Sequence, residues 1–105
     1  MSQPTTDGAK FDEIVHAPNR LQICALLVTA DRAEFAAIRD SLGVADSVAS
    51  KHLKVLADAG YVKLDKPQGE GRVRTWASLT KEGRRAFAGH VAELRRLAAG
   101  LDVQP

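Results

Sequence analysis

Between residues 45 and 60, apolar and polar side chains recur with a helical period. At about 100° per residue, Ala49, Leu53, Leu56 and Gly60 fall on one narrow stripe. Ser47, Lys51, Lys54 and Asp58 lie opposite, with Ser50 on the flank. The pattern predicts an amphipathic helix that buries the first stripe and presents the second. It reaches about Ala59, and Gly60 stands in the C-cap position. Just before it comes Leu42-Gly43-Val44. Glycine takes the left-handed conformation that a sharp turn between helices needs, and the flanking apolar residues pin that turn into a core. Residues 35–42 form a shorter helix, with Phe35, Ile38 and Leu42 spaced for one buried face.

The rest of the chain follows by the same criterion. Residues 1–7 are polar, contain Pro4 and read as a disordered arm. A helix is expected over residues 8–16, with Phe11, Ile14 and Val15 as its apolar residues. Pro18 opens the next helix, over residues 18–30. There Leu21, Cys24, Leu27 and Val28 lie on one side and Ile23 and Leu26 on another, which predicts a central helix touching several elements. Asp31 and Arg32 end it, and the few extended residues that follow suffice for one edge pairing.

After Gly60 the period changes to two. Residues 61–66 read as a strand with Val62 and Leu64 inward, and Pro67-Gln68-Gly69-Glu70-Gly71 as a turn-rich loop. Residues 72–79 read as the return strand. Val73, Thr75, Ala77 and Leu79 share one face, and Arg72, Arg74 and Trp76 share the other. Thr80 caps a last helix, with Glu82 in its first turn, running to about Ala99 where Gly100 stops it. Phe87, Val91, Leu94 and Ala98 form its apolar stripe, with His90, Leu97 and Leu101 beside them. Arg84, Arg85, Arg95 and Arg96 stand opposite. The expected fold is mainly α with a β-hairpin wing, in a single domain. Residues 35–59 are a helix-turn-helix, 61–79 the wing and 80–99 a long C-terminal helix.

Composition changes this picture in two ways. The chain has 105 residues, 45% hydrophobic and 27% charged, which suits one globular domain. Its net charge of +2 is unevenly spread. Residues 1–50 carry four basic and seven acidic side chains, whereas residues 51–96 carry eleven basic and five acidic. A basic second half points toward a polyanion. The single cysteine, Cys24, rules out an internal disulfide and a multi-cysteine zinc site, and its apolar neighbours mark it as core rather than a redox thiol. No apolar run is long enough to span a membrane and no signal peptide is visible, so a cytoplasmic protein is expected.

The outward face of the helix that ends near Ala59 begins with small polar side chains and carries two lysines. That suits a helix entering the DNA major groove with its N-terminal part nearest the bases. Lys51 and Lys54 are candidates for phosphates or guanine edges, Ser47 and Ser50 for either by hydrogen bond, and Val48 for a thymine methyl. His52 lies about 60° off the core stripe, placed for a phosphate or for partly buried packing. Arg72 and Arg74 flank the flexible loop and suit the minor groove or adjacent phosphates, with Lys63 and Lys66 adding phosphate contacts. His16, His52 and His90 have no metal-ligand spacing, so neither a metal nor a cofactor is expected. Glycine-rich phosphate loops, nucleophile elbows and HExxH are absent, and an enzyme is not expected. No convergent polar pocket for a small-molecule effector is visible.

The order of elements and several short stretches resemble winged helix-turn-helix regulators of the MarR/ArsR type, in particular their small stand-alone members. The stretches are His16-Ala17-Pro18-Asn19-Arg20-Leu21-Gln22-Ile23, Leu42-Gly43-Val44, Lys51-His52-Leu53, residues 56–62, Gly71-Arg72-Val73-Arg74-Thr75 and Leu79-Thr80-Lys81-Glu82-Gly83-Arg84. Together they cover roughly residues 10–97. Two features depart from the pattern. Ala45 stands where such families place Ser or Thr at the start of the recognition helix, so that helix either begins one residue later, capped by Asp46, or lacks a side-chain cap. The paired cysteines or His/Asp clusters of metal-sensing relatives are missing. The resemblance implies a sequence-specific transcriptional regulator that binds double-stranded DNA as a homodimer. Phe11, Ile14 and Val15 of the first helix and Phe87, Val91 and Leu94 of the last are expected at the twofold interface. A winged helix serving as a protein-interaction module is the rival reading, because a fold does not fix its function.

Overall fold

The structure is a computed structural model and describes residues 8–66 and 74–101. Five helices and three strands follow in the order α1 (Glu13–His16), α2 (Pro18–Val28), β1 (Ala33–Glu34), α3 (Phe35–Leu42), α4 (Asp46–Asp58), β2 (Val62–Asp65), β3 (Trp76–Leu79) and α5 (Lys81–Leu101). The arm at residues 1–7, the loop at 67–71, Arg72 and Val73 lie outside the described residues.

The turns form for the local reasons the sequence supplies. Gly43 has φ 68° and its N–H bonds the Arg39 carbonyl at 2.9 Å, closing α3. Gly60 has φ 82°. Its N–H reaches Ala57 O at 3.0 Å, and Tyr61 N reaches Leu56 O at 2.9 Å, which is the Schellman pattern that satisfies the last carbonyls of α4. Thr80 starts α5: its Oγ1 accepts from Gly83 N at 2.9 Å and donates to Gly60 O at 2.6 Å. One hydroxyl thereby joins the end of α4 to the beginning of α5.

The strands form one antiparallel sheet in the order β1-β3-β2. Ala33 pairs with Ala77, and Val62 with Leu79. The short extended stretch after α2 does take the expected edge pairing. The core collects Val15, Ile23, Cys24, Leu27, Ile38, Leu53, Leu56, Val62, Ala77 and Leu79. Ile23, Cys24 and Leu27 of α2 are all fully buried, which makes α2 the central helix. On α4 the buried residues are Ala49, Leu53 and Leu56, the stripe expected from the period.

Several expectations are corrected. The first helix is one turn rather than nine residues. Asp12 is its N-cap, with Oδ1 accepting from Ile14 N at 2.9 Å and Val15 N at 3.0 Å. Upstream, Gly8 has φ 79° and Lys10 N bonds Gly89 O on α5 at 3.0 Å, so that stretch is held by α5 instead of coiling. Helix α2 ends at Val28, which is 38% exposed rather than on the buried face. On β2, Val62 is buried but Leu64 is 38% exposed, because it lines an open groove with Phe35 and Leu53. Strand β3 begins only at Trp76; the Thr75 carbonyl instead accepts from Phe35 N at 2.8 Å.

Helix α5 differs most. It continues through Gly100, which has no left-handed φ, to Leu101. Its buried line is Gly83, Gly89 and His90, while Phe87, Val91 and Leu94 are only half-buried. The glycines explain this. A Cβ on Gly83 would strike the Tyr61 carbonyl, and one on Gly89 the Gly8 carbonyl. Helix α5 therefore lies against backbone along its glycine seam, leaving the larger apolar residues beside the contact.

Candidate nucleic-acid interface

Helix α4 begins without a side-chain cap. Ala45 occupies the N-cap with extended backbone, and Asp46 is the first helical residue, so the second of the two starts considered for this helix is the observed one. Asp46 places negative charge at the helix N-terminus, where the macrodipole favours it. Arg39 on α3 reaches across the turn to it: Nη1 lies 2.8 Å from Asp46 Oδ1, and Nε lies 2.9 Å from Asp40 Oδ1. The two carboxylates hold the guanidinium's pKa above its usual value. Arg39 was not singled out by the sequence, because nothing in the spacing of residues 39, 40 and 46 marks an ion pair across a turn.

Opposite the buried stripe, Ser47, Ser50, Lys51 and Lys54 are all exposed. Lys54 Nζ lies 3.2 Å from Asp58 Oδ2 one turn on. Lys51 makes no ion pair among the described residues. Val48 is half-buried. A groove of about 360 Å³ joins this face to the hairpin, lined by apolar Phe35, Leu53 and Leu64 and by Ser50, Lys54 and Lys66. The structure thus brings Lys66 beside Ser50 and Lys54. Lys63, adjacent to Leu64 in a strand of period two, points to the other side of the hairpin.

Arg74 is exposed at the start of the return segment, with Nε 3.6 Å from Glu34 Oε2. That separation is long and the Arg74 side chain stays more than half exposed, so it remains accessible beside β1. Arg72 lies outside the described residues. Trp76 is half-buried, with the Arg32 guanidinium 4.2 Å above its ring centroid, so it is occupied by the body of the domain. His52 belongs to the interior side as well. Its Nδ1 faces Arg20 Nη1 at 3.2 Å and its Nε2 faces the Asn19 amide at 3.3 Å. Burial, then the charges of Arg20 and Lys51, lower its pKa, so it is a neutral acceptor tying α4 to α2. Of the two placements the sequence left open for His52, a phosphate or partly buried packing, the structure shows half-buried packing against α2.

Away from this face, Cys24 is buried, and burial followed by the charge of Asp12 pushes its thiol up to about 11. No group of three metal-ligating side chains occurs among the described residues. No helix among them is long and apolar enough to cross a membrane. An open cleft of about 500 Å³ lies between the stretch before α1 and α5, with Lys10, Asp12, Tyr61, Glu82 and Arg85 in its walls. Its charges are mixed, and the Tyr61 hydroxyl already donates to Asp12 Oδ2.

The apolar residues expected at an interface divide. Phe11 is 41% exposed; outside the expected set, Leu97 is 43% and Leu101 72% exposed. Ile14, Phe87, Val91 and Leu94 are half-buried, and Val28, Phe87 and Val91 line one shallow depression. Val15 is fully buried, because the single turn of α1 aims it into the core, so it is removed from the interface set.

Helix α3, the Gly43 turn, α4 and the β2–β3 hairpin constitute a winged helix-turn-helix. The chain belongs to the winged helix DNA-binding domain family, which it matches over residues 19–98. It is 31% identical over 90 residues to an uncharacterized protein, MJ0432, of Methanocaldococcus jannaschii, covering 86% of this chain and 98% of that protein. The structure of a transcriptional regulator homologue from Pyrococcus horikoshii is similar with a TM-score of 0.83 and 26% identity, over 96% of this chain and all of the other. The zinc-responsive MarR family member ZitR of Lactococcus lactis shares the fold, with a TM-score of 0.62 and 20% identity over 87% of this chain and 62% of that one. The chain is a winged-helix DNA-binding regulator with the fold of the MarR type.

Proposed function

We propose that this protein is a cytoplasmic, sequence-specific transcriptional regulator that binds double-stranded DNA as a homodimer. Helix α4 enters the major groove, where Ser47, Ser50, Lys51 and Lys54 meet base edges and phosphates. Lys66, Arg74 and Arg72 contact the flanking backbone. The dimer forms through α5, with Phe87, Val91 and Leu94 meeting Phe11 and Ile14 of the partner around a twofold axis. The observation that carries the reading is the outward face of α4. Its polar and basic residues are exposed as a set above a fully buried stripe, and a groove connects them to Lys66.

Salt dependence tests this reading. Each lost phosphate contact lowers the slope of log affinity against log salt by about one unit and weakens all sequences alike. Lys66→Ala and Arg74→Ala should each do so in a fluorescence titration of a labelled duplex. Affinity unaffected by either variant and by Lys51→Ala would move the protein to the interaction-module reading.

A further inference from the structure

A buried polar network joins α1 to α5. His90 is fully buried, and its Nδ1 lies 2.9 Å from the backbone nitrogen of Asp12. That N–H can only donate, so His90 Nδ1 carries no hydrogen. The single proton of neutral His90 is then on Nε2, which lies 3.0 Å from His16 Nδ1. His16 Nδ1 must accept it, and both tautomers are fixed by one backbone amide. Phe11 closes the cluster: its ring centroid lies 4.7 Å from that of His16 and 4.8 Å from that of His90.

No charged form of this pair keeps both hydrogen bonds. A proton on His16 Nδ1 would face the His90 Nε2–H, and a proton on His90 Nδ1 would face the Asp12 N–H. His16 is exposed, so water reaches its ring, whereas His90 is fully buried. The surrounding groups do not absorb the charge. Asp12 attracts it, but its carboxylate already accepts from Ile14 N, Val15 N and the Tyr61 hydroxyl. On α2, Arg20 is committed to Ile14 O and His52, and Cys24 is a neutral thiol. On α5, Glu93 is held by Arg96.

We propose that His16 and His90 are a proton-operated latch: neutral, they clasp α1 and Phe11 to α5; protonated, they release them. Phe11 belongs to the surface assigned above to the dimer, so acid is expected to weaken dimerisation. That coupling rests on the dimer reading; the latch itself does not.

The test uses the full chain with uniform nitrogen-15 label at pH 7.5 and 5.5. Long-range proton–nitrogen spectra at pH 7.5 should show both rings protonated on Nε2 alone. The exchange protection of the Asp12 amide should fall by about tenfold between pH 7.5 and 5.5 if one proton opens the latch. His16→Asn offers an oxygen acceptor without a basic nitrogen and leaves only His90 to titrate, so its Asp12 protection should fall less at pH 5.5 than that of the natural chain. Sedimentation should give a weaker dimer at pH 5.5 for the natural chain and a smaller change for His16→Asn. A proton on His90 Nδ1 at pH 7.5, or equal Asp12 protection at both pH values, would overturn the latch. A monomer at both pH values would overturn the dimer reading and the coupling to it.

Discussion

Gly83→Ala gives opposite signs from local propensity and from packing. Glycine in a helix is about 1 kcal/mol worse than alanine, so propensity alone expects stabilisation. Gly83, however, is buried on the face of α5 that meets the base of the hairpin. A Cβ there would overlap the Tyr61 carbonyl and lie 3.0 Å from Leu79 Cδ2. The Tyr61 carbonyl is not free to move, because it accepts from Thr80 N at 3.0 Å beside the Thr80 link to Gly60. Overpacking of this kind costs roughly 1–3 kcal/mol, and a backbone obstacle puts it at the upper end. The net expectation is a loss of about 1–2 kcal/mol, or about 4–10 °C in Tm for a domain of this size. Gly100→Ala in the same helix is the control. Nothing lies within 4 Å of its Cβ, so it should be neutral or slightly stabilising. Urea and thermal denaturation of both variants measure this. Gly83→Ala as stable as the natural chain would refute the glycine seam as the reason α5 sits where it does.

Other outcomes follow from the same structure. Burial lowers the pKa of both His90 and His52, so the unfolded chain binds protons that the folded chain refuses. Stability should therefore be complete above about pH 6.5 and decline as pH falls below it, seen as a falling urea midpoint. Cys24→Ala should cost roughly 1 kcal/mol of packing. It should leave DNA affinity unchanged, and mild peroxide should not release the natural protein from DNA, since a thiol at about 11 offers almost no thiolate; release by peroxide that the variant resists would make Cys24 a sensor. Leu94→Asp should convert a dimer to a monomer in sedimentation at micromolar concentration, and no change would remove α5 from the interface.

The parts of the fold that were legible are those in which one face of a regular element meets the core. The 3.6-residue period of α4 located Ala49, Leu53 and Leu56, and the left-handed Gly43 and Gly60 marked both ends of the helix-turn-helix. What was not legible depends on partners distant in sequence. Asp12 looked like an early helical residue, yet its carboxylate caps α1 and receives Tyr61 from 49 residues away. Gly83 and Gly89 carry no hydrophobic signal, so the line along which α5 meets the body was not visible beside its stripe of larger apolar residues. Gly100 carried a stop signal that α5 overrides. For His52 the sequence left a phosphate contact and partly buried packing open, and its partners Arg20 and Asn19, on another helix, could not be read from spacing. The exposed face of α4 was readable because exposure on an amphipathic helix is the complement of burial.

The central claim, that this face reads sequence, is tested most directly by selecting bound duplexes from a random library at two salt concentrations. The natural chain should recover a twofold-symmetric site with half-sites about one helical turn, ~10 bp, apart. Ser50→Ala with Lys54→Ala should blur the preferred bases, each lost base contact costing ~1–3 kcal/mol at one base pair. Lys66→Ala with Arg74→Ala should keep the preference and reduce its salt dependence. A natural chain that binds every duplex alike, or a preference that survives the loss of Ser50 and Lys54 unchanged, would contradict the account.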